Sequence, residues 1–241
     1  MNILVIHSHN ANRGDEAAVK AMVDELLIKY PGAKITISNN GFTPYPGMPE
    51  NVIQIDHFPK LESRIAQLEF FIVLLFKGKF ALTKEARKFI RALKEADVVL
   101  HAPGGPSIGD TYFKAEKLYL WRLNLIRRMG IPYIFYAPSM GPFNCASRNK
   151  LRKEVISGAE RIILRDPISV KYVKDFLPGV EVEQALDSAL QHDIDIDKNE
   201  RKYNNYPELK NFIENHEKCI GITITDLKWH PVHKNEKIIE Q

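Results

Sequence analysis

Cysteine is scarce in this 241-residue chain: Cys145 and Cys219 are the only two and stand far apart. Neither a disulfide framework nor a Cys-based zinc site is indicated, and the usage suits a reducing cytoplasm. Long apolar runs are missing as well. The most apolar segment, Leu68 to Phe76, is interrupted by Glu69 and closes on Lys77-Gly78-Lys79, well short of the ~20 residues that span a bilayer. It reads as a buried helix, while Lys77 and Lys79 keep open a peripheral contact at the inner face of a membrane. Met1-Asn2 leads straight into a strand-like run, without the basic region or small-residue cleavage site of a signal peptide. The net charge of +4 is spread along the chain rather than clustered, so a nucleic-acid partner is not expected.

Familiar chemistry is also lacking. The first strand is followed by Gly14 alone and not by G-x-G-x-x-G, so a dinucleotide cofactor has no sequence support. Cys145 has no His near it in sequence, which leaves nucleophilic Cys–His catalysis without a motif. His230 and His233 have a metal-binding spacing only on a helix, which Pro231 disfavours; no metal is expected. There are no internal repeats or low-complexity tracts.

What remains is a regular alternation. Ile3 to Ile6, Lys34 to Ser38, Val52 to Ile55, Val98 to Ala102, Ile131 to Ala137, Arg161 to Leu164 and Val180 to Val182 are strand-like. Amphipathic stretches at Ala17 to Ile28, Leu61 to Phe76, Thr83 to Ala96, Asp110 to Met129, Leu151 to Ala159 and Ile168 to Phe176 read as helices. Such alternation builds βαβ units and a parallel sheet flanked by helices, a Rossmann-like α/β fold. The domain reads as residues 1–192, followed by a linker and helix over 193–217. Cys219 to Thr225 is apolar enough for a buried strand, so 218–241 reads as the start of a truncated second α/β domain.

In a parallel sheet the carboxyl ends of the strands share one edge, and ligands bind there. The polar residues at those ends are therefore the site candidates. Asn12-Arg13-Gly14-Asp15-Glu16-Ala17 follows the first strand. Asp15 and Glu16 also suit the first turn of a helix, where the dipole favours negative charge. His7 and His9 flank the same strand end, with rings expected on opposite faces. Gly104-Gly105 with Gly109-Asp110 can expose backbone N–H groups to an anion or a sugar hydroxyl. Arg165 at a strand end can bind a carboxylate or phosphate through its fork, while Asp166-Pro167 reads as a helix cap.

The ordered set Asn12 to Ala17, Gly104-Gly105 with Asp110, Met140-Gly141-Pro142, Arg165-Asp166 with Ser169, and Asp187-Ser188-Ala189-Leu190 resembles the polysaccharide pyruvyl transferase family over about residues 2 to 225. The resemblance implies the amino-terminal half of a two-domain, GT-B-type transferase. It implies transfer of pyruvate from phosphoenolpyruvate to a sugar hydroxyl as a ketal, in cell-surface or exopolysaccharide biosynthesis. The partners implied are a saccharide or lipid-linked saccharide and phosphoenolpyruvate as donor substrate, with no cofactor. Carried over position by position, Asn12, Arg13, Gly14, Asp15 and Glu16 line the acceptor side. Gly104, Gly105 and Asp110 form a crevice wall with Gly141 and Ser169 beside it, and Arg165 faces the donor. Asp15 and Arg165 are the catalytic candidates.

Two departures stand out: Pro106 replaces the family's usual third Gly, and Ser188 stands where Pro is usual. The family's carboxyl-terminal domain, with its His and basic donor contacts, is not recognised. The alternatives are a GT-B glycosyltransferase using a sugar nucleotide and a noncatalytic saccharide-binding module.

Overall fold

The computed structural model describes residues 1–9, 12–39, 44–58, 64–191, 197 and 203–222. The chain divides into two compact units, Met1–His192 and Asp193–Gln241.

In the first unit, β1 (Asn2–Ser8), β2 (Lys34–Asn39), β3 (Val52–Asp56), β4 (Val98–His101), β6 (Tyr133–Tyr136), β8 (Arg161–Leu164) and β9 (Glu183–Gln184) form one seven-stranded sheet in the order β3-β2-β1-β4-β6-β8-β9. Every pairing is parallel. The architecture is Rossmann-like α/β. Strand order reverses between β1 and β4, which opens a crevice above their carboxyl ends.

The helices are α1 (Arg13–Lys29), α2 (Arg64–Leu75), α3 (Lys84–Glu95), α4 (Phe113–Met129), α5 (Asn149–Ser157) and α6 (Pro167–Phe176). They cover the sheet through two apolar clusters. One joins Leu4, Ile6 and Val99 to Phe89, Trp121, Leu123 and Ile126. The other joins Ile3, Val5, Ile35 and Ile37 to Val19, Met22 and Val23. Sequence chemistry fixes the helix starts: Asn12, Thr83 and Asp166 each accept a backbone N–H as N-caps of α1, α3 and α6.

Three expectations need correction. The Gly-rich segment after β4 is not merely a turn: β5 (Gly104–Ile108) pairs in parallel with β7 (Pro138–Met140) as a separate two-stranded sheet. Helix α2 is not buried all round; Glu69 and Phe70 face inward while Leu68, Phe71 and Leu75 face solvent. In the second unit, α7 (Pro207–Glu214) forms as expected. Cys219 to Ile222, however, is exposed and carries no strand. Residues 223–225 and both His230 and His233 lie outside the described residues.

Candidate functional site

Asn12 spends its side chain on the helix, accepting the Gly14 N–H at 2.7 Å. Arg13 and Glu16 pair with one another at 2.6 Å. Asp15 is different. Half-buried at the first turn of α1, its carboxylate makes no hydrogen bond among the described residues. It points at the backbone of Gly104, where a Cβ would stand 3.1 Å from Asp15 Oδ1. Gly104 also has φ +146°, so both backbone and space demand glycine there.

Burial raises the Asp15 pKa from its ordinary 3.8; the Arg165 guanidinium opposes that rise and the Asp187 carboxylate adds to it. These three side chains come from distant parts of the chain. Arg165 directly follows β8, and Asp187 precedes a 3-10 turn at Ser188–Gln191. Ser188 fastens that turn to α1 by donating its hydroxyl to Ala18 O at 3.0 Å. Arg165 Nη1 bonds Asp187 Oδ2 at 2.5 Å and its Nε donates to Ser139 Oγ at 3.0 Å. Ser139 donates in turn to Asp166 Oδ2 at 2.8 Å, where Ser169 Oγ also donates at 2.8 Å. The α6 cap thus doubles as the support that aims the Arg165 fork.

The remaining candidates lie behind this front. Ser169 is buried and accepts Met140 N–H at 2.8 Å, one step removed from Arg165. Gly141 packs under Tyr172, whose side chain fills the space a Cβ would need. Gly105 approaches Tyr112. Asp110 accepts Asn144 N–H at 2.6 Å and pairs with Arg152 at 2.7 Å. Arg152 in turn meets Glu116 at 2.8 Å, and Arg148 meets Glu116 at 3.0 Å. Asp110 therefore belongs to a structural ion cluster and does not join Asp15 and Arg165.

Histidines also gather at the crevice floor. His7 has φ +60°, and the β1–β2 register shifts between Val5 and Ser8. His7 and His9 both reach Tyr119 and not opposite faces, as residues two apart on an extended chain do: the His7 ring stands edge-on to Tyr119 at 4.6 Å, and His9 Nε2 lies 2.8 Å from the Tyr119 hydroxyl. His101 Nε2 bonds Ser107 Oγ at 2.7 Å. Burial drives His9 and His101 down to about 4 and His7 well below its ordinary value, so all three are neutral at pH 7. Among the described residues no three His, Cys, Asp or Glu side chains are set to hold a metal.

The sequence reading missed Ser139 and the part played by Asp187. Ser139 is the middle residue of β7, next to the Met140-Gly141-Pro142 motif, and Asp187 opens the Asp187-Ser188-Ala189-Leu190 motif after β9, so nearness to those motifs was the available signal.

A model of the polysaccharide pyruvyl transferase family matches residues 12–239. The chain belongs to the polysaccharide pyruvyl transferase family. Membership makes it a transferase whose acceptor is a saccharide. Among curated proteins none matches it. In this family member Asp15, Arg165 and Asp187 set a partly exposed guanidinium beside a carboxylate of raised pKa, past the strand ends.

Proposed function

We propose that this pyruvyl transferase uses phosphoenolpyruvate as donor and forms a pyruvate ketal on a saccharide of cell-surface or exopolysaccharide biosynthesis, in the cytoplasm. The observation that carries this reading is the juxtaposition of Arg165 with Asp15. Arg165 has its Nη1 on a partly exposed carboxylate, Asp187, and a neutral hydroxyl, Ser139, on Nε. An incoming carboxylate or phosphate can join or replace Asp187 on that fork.

The chemistry balances with two acceptor hydroxyls. The donor's methylene carbon takes a proton, the first hydroxyl oxygen bonds C2, and the second displaces phosphate. Of the two hydroxyl protons lost, one is made good at the new methyl and the other leaves with phosphate. Positive charge grows at C2 and negative charge on the leaving phosphate, which Arg165 stabilises. Asp15 takes the proton of an attacking hydroxyl; its raised pKa makes it a stronger base than an exposed Asp. Asn12, Arg13, Gly14, Glu16, Gly104 and Gly105 surround the acceptor in this reading.

The experiment is to incubate the protein with phosphoenolpyruvate and candidate glycans, following phosphate release and the ketal methyl signal by NMR. Glycan-dependent phosphate release with a new methyl resonance supports the proposal. Turnover only with a nucleotide sugar transfers the site to the glycosyltransferase reading, and glycan binding without turnover to the noncatalytic one.

A further inference from the structure

Helix α2 buries Phe70 and Val73 but is apolar on its outer face as well. Its carboxylate, Glu69, is fully buried, while Leu68, Phe71 and Leu75, spaced by three and four residues, are 57%, 63% and 65% exposed. Phe76, Phe80 and Leu82 continue the exposed apolar surface through the connection to α3. Soluble proteins seldom leave so contiguous an apolar face uncovered without a partner for it.

The face is held out by bonding rather than left loose. Glu69 accepts the Leu82 N–H, the Thr83 N–H at 2.7 Å and the Thr83 hydroxyl at 2.6 Å. Because Thr83 caps α3, one buried carboxylate locks the helix and the following turn together. Phe70 stacks on Trp121 with centroids 4.8 Å apart. At the turn, Gly78 donates its N–H to Val73 O at 2.8 Å. It sits so close to α3 that a Cβ would meet Ile90 Cδ1 at 3.1 Å. Phe76 and Phe80 stand edge to face at 5.1 Å on either side of it.

The collar is basic. Lys77 and Lys79 flank Gly78 and are exposed, and Lys84, Arg87 and Arg91 form an exposed stripe along α3. None of these five is in an ion pair among the described residues. An apolar wedge bordered by unpaired cations matches a bilayer interface of anionic phospholipid: the side chains enter the acyl boundary and the cations meet the headgroups. A two-fold contact between copies fits less well, since Lys77 and Lys79 would border the same patch on both partners.

We infer that the α2 face and its turn form a peripheral docking surface for anionic membranes. Among the described residues no helix is long and apolar enough to cross a bilayer, so the contact is with the interface. Its use in presenting a lipid-linked acceptor rests on the transferase reading; lipid binding itself does not.

The test is co-sedimentation of the full chain with vesicles of phosphatidylcholine alone and of equal parts phosphatidylcholine and phosphatidylglycerol. Binding to the anionic vesicles should exceed binding to neutral ones by about tenfold or more, and weaken with salt. Phe71→Glu with Leu75→Glu should lower it by at least about tenfold. Lys77→Glu with Lys79→Glu should remove the preference for anionic lipid. All four positions are solvent-facing, and circular dichroism confirms that each variant folds. Glycan-dependent phosphate release on a soluble acceptor should be unchanged in both. Failure to sediment with anionic vesicles overturns the inference, as does equal binding by wild type and both variants. So does a concentration-dependent dimer, abolished by the glutamates, that forms instead of lipid binding. None of these results bears on the donor chemistry, which phosphate release reports separately.

Discussion

Two clusters of carboxylates and arginines lie beyond the strand ends, and they are built to opposite specifications. In one, Glu116 and Arg152 have fully buried side chains, and Asp110, Arg148 and backbone N–H groups complete their bonding. In the other, Arg165 and Asp187 are 25% and 33% exposed, and Asp15 has no hydrogen bond among the described residues. The first cluster is the more fully bonded, with only Arg148 and Asp110 partly exposed, and it ties β5, α4 and α5 together. The second holds charge in reserve at the crevice. Charged residues at a sheet edge thus become informative only when their bonding is counted: saturation marks architecture, and partial saturation marks chemistry.

The sharpest way to break this comparison is Glu116→Ala. It leaves Arg152 buried without its main partner and should cost about 3–5 kcal/mol in denaturant unfolding, a large share of a typical domain's margin. A small loss would mean that the saturated cluster is not structural. Asp15→Asn should do the reverse, lowering turnover by about 10²–10⁴-fold without loss of stability. Because folding raises the Asp15 pKa above its ordinary 3.8, the native state binds the proton more tightly than the unfolded chain. The contribution of Asp15 to stability is therefore fullest below pH 3.8 and declines as pH rises through the raised value. Asp15→Asn should accordingly melt higher than wild type at pH 7, with the gap closing in acid; a lower melting temperature at pH 7 would contradict the reading.

Asp187→Asn has a subtler outcome. It removes a like charge from Asp15 and frees Arg165, so the acid limb of the pH–rate profile should move to lower pH. An unmoved limb would show that Asp15 is not the group being titrated. The smallest effect belongs to Arg13→Ala. That side chain is 88% exposed and among the described residues pairs only with Glu16 on the same helix, so thermal unfolding should change by no more than about 0.5 kcal/mol.

Much of the fold was legible in local chemistry. The cap at Asp166 and the alternation of apolar runs led to most of the observed helices and parallel strands, whereas Asn12 was not read as the α1 cap and the last strand, expected at Val180 to Val182, forms at Glu183–Gln184. Pairing between short, Gly- and Pro-rich segments was not legible, because β5 and β7 are defined by each other rather than by any apolar period. The exposed apolar face of α2 was hidden for a related reason. Its apolar content announced burial, but Glu69 takes the inward position, since the backbone of Leu82 and Thr83 needs an acceptor there. At the candidate site, Asp15 and Arg165 were singled out from strand-end position, and the structure brings them near one another. Asp110 drew the same attention, yet only the three-dimensional bond count separates it from them.

The central claim, that the unsaturated cluster receives the donor, is tested most directly at Arg165. Calorimetric titration of phosphoenolpyruvate into wild type and Arg165→Ala, alongside their denaturant curves, reads both properties at once. The account predicts donor affinity lowered by at least about tenfold, as expected for loss of a charge-assisted hydrogen bond, with stability changed by no more than about 1 kcal/mol. Equal affinity in the two proteins would contradict it.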